Sequence, residues 1–498
     1  MERTTRFLLA IGAGLLWLPT SLPSEGASPD FESWPQFRGP DGMSVARDQE
    51  IPMDFGPNEN ELWSTSIPRG NSSPIIWRDH LFLSAYHDDK RIMLAIDRYD
   101  GSLIWERSVT AQSPEEFTHR LSGPAESTPC TDGKRVYFYF GNYGLIALNL
   151  DGSLAWEKQL SKPRTGMGTG TSPILIGNSL ILIRDGTDDP CILSLDSSTG
   201  EEIWKRPRLG YTTSHSSPFV WKNKLQTELL IAGASSLVSL NPATGKLLWK
   251  IENTNGFPCT TPTGNADRLF FASWSANSSG GRDTLEAHFD DDIKFSEAEL
   301  ADPNLFFRRF DQNRDGVIER HELPPSRARD VFKWLDRNDN QLWETDEFDI
   351  LLRPPGKGRN IMVTVRPGGT GVLNDTEYIA WEWRKHLPYT ASPLVSENRV
   401  YLVKSLGIIT CLNTETGESH FEGMRTGVKG EYFASPIKIG SHILITSSLG
   451  ILTLIKDSDI FEIAAQNDIG EEIVATPALV DKTLYLRSLE RLWAFKKE

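Results

Sequence analysis

The sequence predicts an all-β fold: an eight-bladed β-propeller built from four-stranded antiparallel blades. Three observations predict it. A unit that opens on a small hydroxyl residue followed by proline recurs along most of the 498 residues. Each unit holds short apolar segments of strand length, separated by turn residues, and five of the eight close on Thr/Asp-Gly with an aromatic residue four positions later. A lone strand-like segment, Glu61–Ser64, precedes the first unit, whereas the last unit runs out after about three strands.

The clearest unit runs from Thr171 to Trp204. Pro173 suits only the first residue or an edge of a strand. Gly177 and Gly200 provide the positive φ angles that tight hairpins need. One four-stranded sheet cannot bury both of its faces alone, so we expect the units to stack.

Eight copies of the hydroxyl-proline pair are present, and successive prolines lie 55, 44, 45, 44, 131, 43 and 41 residues apart. The prolines are Pro74, Pro129, Pro173, Pro218, Pro262, Pro393, Pro436 and Pro477. Pairing of the early segment with the last unit would close the ring and remove the open sheet edges.

Charge and composition exclude some classes of protein. The formal net charge is -15, and no basic run is present, so nucleic acid is not an expected partner. Residues 1–27, with two arginines before an apolar run, are predicted to be a signal peptide for export to a periplasmic or extracellular location, with a retained anchor as the alternative. No stable membrane span is expected. Cys130, Cys191, Cys259 and Cys411 are predicted to be buried thiols, with a disulfide as the alternative.

The single long gap between prolines predicts an insertion in blade five. Residues 276–360 are acidic and rich in helix-forming residues, so we expect a small α-helical unit there. The predicted organisation is therefore residues 28–275 for the first part of the propeller, 276–360 for an EF-hand insertion and 361–498 for the second part.

The insertion contains DQNRDGVIERHE, residues 311–322, which has the calcium-loop pattern at every diagnostic position. Alternate residues of such a loop point oxygen atoms inward, and Gly316 permits the sharp turn. The predicted ligands are Asp311, Asn313, Asp315, the Val317 carbonyl, Glu319 and Glu322. An acidic surface loop is the alternative.

A second loop, DRNDNQLWETDE, spans residues 336–347 and starts 25 residues after the first. Its predicted ligands are Asp336, Asn338, Asn340, the Leu342 carbonyl, Glu344 and Glu347. Gln341 replaces the sixth-position glycine and must adopt a strained turn, so we expect weaker binding. A degenerate third loop at residues 288–299 is predicted to be structural.

The funnel at the centre of the ring is the other candidate site. Residues ahead of the marker prolines form a polar set that could bind a small polar molecule or could simply line a wet channel. They are Arg69, Asn71, Glu126, Thr169, His215, Tyr389, Glu431 and Tyr432. No pair of them has a spacing that dictates chemistry, so no catalytic residue is assigned.

The repeats SLDSSTGEEIW, SLNPATGKLLW and CLNTETGESHF resemble those of the PQQ-like (pyrrolo-quinoline quinone) β-propellers, a family that includes quinoprotein alcohol dehydrogenases and outer-membrane assembly-factor propellers. The resemblance implies the propeller fold and a docking role for Trp105, Trp156, Trp204 and Trp249 against neighbouring blades. The dehydrogenases of that family have adjacent, disulfide-bonded cysteines beside PQQ, and this chain has no Cys-Cys pair.

The sequence therefore favours a non-catalytic, exported interaction scaffold with calcium as its cofactor and a protein as its partner. A PQQ-dependent oxidoreductase acting on an alcohol or sugar, and a carbohydrate-binding propeller, are the alternatives.

Overall fold

A computed structural model describes residues 33–46, 49–111, 113, 121–163, 165, 168–186, 189–209, 211, 215–233, 235–275, 289, 293–296, 298–299, 302–330, 332, 336, 340–345, 347 and 358–497. The predicted signal peptide lies outside these residues. No helix among them is long and apolar enough to cross a membrane.

Eight four-stranded antiparallel blades confirm the predicted propeller. Blades one to four are formed by Ile75–Trp77, His80–His87, Lys90–Asp97 and Leu103–Thr110; by Cys130–Thr131, Arg135–Phe140, Gly144–Asn149 and Leu154–Gln159; by Ile174–Ile176, Ser179–Arg184, Cys191–Asp196 and Glu202–Pro207; and by Phe219–Lys222, Thr227–Gly233, Ser236–Leu240 and Leu247–Glu252. Blades five to seven are formed by Thr263–Gly264, Leu269–Ser273, Ile361–Val365 and Ile379–Trp383; by Leu394–Ser396, Arg399–Lys404, Ile408–Asn413 and Ser419–Arg425; and by Ile437–Ile439, His442–Thr446, Ile451–Lys456 and Ile463–Asp468.

Blade eight takes its first three strands from the end of the chain and its outermost strand from the beginning. The strands Ala478–Val480, Thr483–Arg487 and Arg491–Phe495 are completed by Glu61–Ser66. The last pair is antiparallel, with Trp63 opposite Ala494 and Ser64 opposite Trp493. The predicted closure of the ring is therefore confirmed.

A continuous circle of hydrogen bonds explains the small hydroxyl residue ahead of each proline. The backbone N–H of each of these residues donates to the hydroxyl of the equivalent residue in the next blade, at 2.9–3.3 Å, and the eighth bond returns to the first blade. In order, the residues are Ser73, Thr128, Ser172, Ser217, Thr261, Ser392, Ser435 and Thr476. All are buried, so the circle satisfies N–H groups that no sheet partner reaches.

Replacing Ser172 by alanine should therefore destabilise the ring. The Thr128 N–H, which now donates 3.0 Å to the Ser172 hydroxyl, would be buried without an acceptor, at a cost of about 1–3 kcal/mol. Urea unfolding should show this loss, while the same change at exposed Ser419 should have almost no effect. Equal midpoints for the two variants would mean that the circle contributes nothing to stability.

Tryptophans near the start of the outermost strands tie each blade to the next. The indole N–H groups of Trp105, Trp156 and Trp204 donate to the carbonyls of Leu150, Ser197 and Pro242 in the following blades, at 2.8–3.0 Å. Each ring also lies against the turn glycine of that blade: a Cβ added at Gly152, Gly200 or Gly245 would come within 2.6–2.8 Å of ring carbons. The predicted docking role is confirmed for these three.

Trp249 differs from the other three. It is fully buried and packs with apolar residues of blade five, but its indole N–H donates 2.7 Å to Glu228 of its own blade. In blade five a longer connection, residues 366–378, joins the third and fourth strands, and its strand Gly371–Val372 pairs in parallel with the outermost strand of blade four. Trp249 therefore docks against blade five through apolar packing, as the resemblance implies, but makes no indole hydrogen bond to that blade.

Residues 34–46, which we call the N-terminal plug, cross one mouth of the central channel. Trp34 exchanges two backbone hydrogen bonds with Ile76, the middle residue of the first strand of blade one. Val45–Ala46 pair in parallel with the innermost strand of blade seven. Arg38, fully buried, donates to the carbonyls of Pro262 and Pro393, at 3.4 and 2.6 Å, and burial lowers its pKa to about 9. The plug therefore bridges blades on opposite sides of the ring.

A buried ionic network joins blades six and seven. The Asp457 carboxylate accepts hydrogen bonds from Arg399 Nε at 2.9 Å and Tyr401 OH at 2.7 Å, and from Ser396 and Lys438. Burial by itself raises the pKa of Asp457, but these hydrogen bonds outweigh that effect, and the pKa lies below its ordinary value.

This network should make stability depend on pH in the acid range. Because the pKa of Asp457 is lower in the folded chain than in the unfolded one, its contribution is complete above the unfolded value of about 4 and is lost as the pH falls through the folded value. We expect Asp457→Asn to lower the urea midpoint at pH 7 and to make its further decrease between about pH 4 and pH 2 shallower. If the urea midpoint of the variant decreases as steeply between about pH 4 and pH 2 as that of the unmodified chain, this assignment is wrong.

Candidate calcium sites and the central funnel

Blade five has a long connection between its second and third strands. Leu269–Ser273 pairs directly with Ile361–Val365, so the intervening residues leave the blade at that point. They contain the helices Pro303–Phe310 and Arg327–Asp330 and the paired strands Ile318–Glu319 and Leu342–Trp343. A separate aromatic core, centred on Phe306, Phe310 and Trp343, holds these elements together.

The first predicted loop is closed by hydrogen bonds between its acidic side chains and its own backbone. Asp311, directly after the helix Pro303–Phe310, accepts from the N–H groups of Arg314 and Gly316, at 2.6 and 2.9 Å. Gly316 has φ +91°, which only glycine adopts without strain. The loop therefore turns sharply where its sequence predicts.

Glu322 reaches back across the same loop. Its Oε1 accepts from the N–H groups of Gln312 and Asn313, at 2.8 and 3.2 Å, and its Oε2 accepts from Glu319 N–H at 2.8 Å. The residue is only 3% exposed. Both oxygens of a buried carboxylate thus point into the loop, as the bidentate twelfth ligand of a calcium loop requires.

The second predicted loop repeats this arrangement. Asp336 accepts from the N–H groups of Asn340 and Gln341, at 3.1 and 2.7 Å, and Glu347 accepts from Glu344 N–H at 3.0 Å. The two loops pair through Ile318 opposite Trp343 and Glu319 opposite Leu342. Asn338 lies outside the described residues.

Gln341 adopts φ +68°, as its place in the loop predicts. A non-glycine residue pays about 1–2 kcal/mol for this left-handed conformation. Gln341→Gly should therefore relieve strain in the bound loop and tighten calcium binding at the second site by about tenfold. Calorimetric titration of calcium would measure the change, and Gln312→Gly in the first loop, outside the turn position, is the matched control. Weaker binding after Gln341→Gly would contradict the strain argument.

The oxygen donors of both loops suit a hard cation such as Ca²⁺, which takes carboxylate, amide and backbone carbonyl oxygens. Within the part of the chain that the structure describes, no three acidic, histidine or cysteine side chains converge as a ready-made metal site. In the first loop, the remaining predicted donors are the Asn313 amide, the Val317 carbonyl and the carboxylates of exposed Asp315 and partly buried Glu319. A bound cation would compensate most strongly the negative charge of the buried carboxylates, those of Glu322, Asp336 and Glu347, which are each 3–4% exposed.

The funnel opposite the N-terminal plug brings together part of the predicted polar set. The pKa of Cys259 is raised to about 12 by burial and by the Glu126 carboxylate. The pKa of Tyr389 is raised by Cys259, by burial and by Glu431. Cys259 and Tyr389, from loops of different blades, therefore lie close to each other. His215, also at this level, is partly buried, and burial lowers its pKa to about 4.

The long blade-five connection starts beside this funnel. Trp274 N–H donates 2.9 Å to the Pro388 carbonyl, and its ring meets the Tyr389 ring edge-on at 6.1 Å. Sequence reasoning missed Trp274 and Cys259, because neither has a motif and only the ring brings them to the funnel.

Two carboxylates, those of Glu126 and Glu431, act on Cys259 and Tyr389 in the funnel. PQQ also carries carboxylates, and repulsion between like charges would disfavour binding of this cofactor beside them. All four cysteines are free thiols; Cys130, Cys191 and Cys411 are buried, as predicted, and Cys259 is partly buried. The disulfide alternative is therefore wrong in this structure.

Comparison with known proteins adds relatives for part of the chain. A family model described as outer membrane protein assembly factor BamB matches residues 48–225. The outer membrane protein assembly factor BamB of Legionella pneumophila (strain Paris) is 29% identical over 145 residues, which are 29% of this chain and 34% of that protein. A quinoprotein ethanol dehydrogenase of Pseudomonas putida is 28% identical over 134 residues, which are 23% of this chain and 20% of that protein. The matches thus span about a third or less of these relatives.

Solved structures show the same fold over more of the chain. BamB from Moraxella catarrhalis superposes with a TM-score of 0.53 at 13% identity, covering 88% of this chain and 99% of that one. A europium-containing methanol dehydrogenase superposes with a TM-score of 0.51 at 9% identity, covering 94% and 98%. The matched segment is thus similar to PQQ-like repeat proteins, and the solved structures share the propeller fold.

Proposed function

We propose that this chain is an exported, non-catalytic β-propeller that acts as an interaction scaffold and binds calcium through an EF-hand pair inserted in blade five. The calcium part is carried by one observation: two loops with the calcium-binding pattern lie side by side, paired through Ile318 and Trp343. Ile318 and Trp343 are the eighth residues of their loops, and their pairing joins the two sites in one unit.

The cation would be held by the oxygens already assigned to each loop. Three of the carboxylates, those of Glu322, Asp336 and Glu347, are buried, and burying a negative charge is costly unless a positive charge or hydrogen bonds compensate it. Backbone N–H groups compensate part of this charge. A divalent cation would compensate the rest, and its affinity would add to the stability of the insert.

Calcium titration of the full chain after treatment with a chelator tests this part. We expect two calcium ions per chain, and none in the double variant Asp311→Ala/Asp336→Ala. The control is Asp89→Ala, which removes an exposed acid of blade one. Equal binding by the double variant and the control would refute the assignment of the loops.

The scaffold part is supported by the relatives named as assembly factors and by the carboxylates of the funnel, which disfavour an anionic quinone. Its test is reconstitution of the full chain with PQQ and calcium, followed by absorbance and dye reduction with alcohols and sugars. We expect no bound quinone and no reduction. A quinone spectrum with substrate-dependent reduction would establish the oxidoreductase alternative instead.

A further inference from the structure

One hydrogen bond recurs three times in the insert. A backbone N–H donates to the carboxylate three residues later at Glu319 to Glu322, at Glu344 to Glu347 and at Ser296 to Glu299, at 2.8, 3.0 and 2.8 Å. The first two close the predicted calcium loops. The third lies in the degenerate segment predicted at 288–299, whose residues 288, 290–292 and 297 lie outside the described part of the chain. There it is one half of a capping box, because the Glu299 N–H also donates to the Ser296 hydroxyl at 3.2 Å.

Arg309 bonds to this third segment at two points. Its guanidinium Nη1 donates to the Lys294 carbonyl at 2.9 Å and to Glu299 Oε1 at 3.1 Å. Counted as in the other loops, Lys294 corresponds to Val317 and Glu299 to Glu322. These are the positions that offer a carbonyl and a carboxylate to calcium, so the arginine contacts two of the oxygens that a metal ion would contact.

Aromatic packing fixes the guanidinium in this place. It lies 5.2 Å from the centre of the Phe295 ring and 5.6 Å from that of Phe310, within the range of cation–π attraction. Phe295 and Phe289 pack with Phe306 and Phe310 in the core of the insert. The third segment is thus part of the same folded unit as the two calcium loops.

We propose that the Arg309 guanidinium is the resident cation of a third, degenerate EF-hand loop. The insert then has two exchangeable cation positions and one that is filled permanently by a side chain. Arg309 belongs to the helix Pro303–Phe310, which leads directly into Asp311. Its bonds to Lys294 and Glu299 therefore hold the entering helix of the first calcium loop in place when calcium is absent.

Amide hydrogen exchange of the full chain in excess chelator tests this role without calcium. We expect Arg309→Met to speed exchange over residues 293–310 by about two- to fivefold, the range of a partly exposed ion pair. Arg309→Lys should have a smaller effect. Arg308→Met is the matched control, because Arg308 is its exposed neighbour on the same helix. Glu299→Gln weakens only one of the two bonds and should have a smaller effect than Arg309→Met, and the double variant should exchange no faster than Arg309→Met.

Three results would overturn the proposal: Arg309→Met exchanging like Arg308→Met, additive effects of Arg309→Met and Glu299→Gln, or a third calcium ion bound by the unmodified chain. The count of calcium ions rests on the proposed function, whereas the exchange experiment does not. A chain that binds no calcium would refute the proposed function and leave the role of Arg309 to be decided by exchange.

Discussion

Replacing Trp63 by alanine is expected to lower the free energy of unfolding by about 3–5 kcal/mol, the usual cost of removing a buried tryptophan ring. Trp63 is 9% exposed, donates 3.0 Å from its indole N–H to the Arg98 carbonyl and packs on Tyr485 with 6.1 Å between ring centres. Its ring lies against Gly101 so closely that an added Cβ would come within 2.5 Å. The residue therefore joins the first blade to the last.

Urea unfolding monitored by circular dichroism would measure this effect. Leu62→Ala is the matched control, because Leu62 precedes Trp63 on the same strand and is 50% exposed. Trp63→Phe should recover part of the loss, since it keeps an aromatic ring but loses the hydrogen bond. If Trp63→Ala and Leu62→Ala unfold at the same urea concentration, the closing strand does not stabilise the ring.

Replacing Glu322 by glutamine is expected to weaken calcium binding at the first loop by about 100-fold or more, because the site loses a negative charge and its bidentate ligand. Glutamine has nearly the same shape, so the bonds from Gln312 and Glu319 N–H to a side-chain oxygen remain possible. The variant should therefore stay folded while one of the two calcium ions is lost in a calorimetric titration.

Two further variants separate this effect from a general loss of charge. Glu347→Gln should remove the second calcium ion and leave the first. Glu377→Gln, at an exposed position in blade five outside the insert, should change neither. Unaltered binding after Glu322→Gln would show that the first loop does not hold the metal in the proposed way.

Much of the ring was predictable from local features of the sequence. The marker prolines and their hydroxyl residues recur because every blade starts in the same environment, and Ser73 and Thr476 show why the count closes at eight: each bonds to the next around the circle. The place of Gln341 in its loop likewise predicted a positive φ angle, because that position depends only on the loop's own turn.

Contacts between distant segments could not be predicted in the same way. The single Pro-Arg-Gly-rich stretch near Arg38 gave no signal that it crosses the channel, since its partners Pro262 and Pro393 are more than two hundred residues away. Trp249 carries the same motif as Trp204, yet it bonds to Glu228.

The sequence by itself determined the eight units, the strand that closes them and the two calcium-loop patterns, because each depends on residues that are near neighbours in the chain or on a repeat. Only the tertiary structure decided that the N-terminal plug closes one mouth, that Cys259 meets Tyr389 and that Arg309 meets Lys294 and Glu299. Such contacts depend on where separate loops lie in the folded structure. Burial and charge interactions are set by distances in space, and these distances cannot be read from the spacing of residues in the chain.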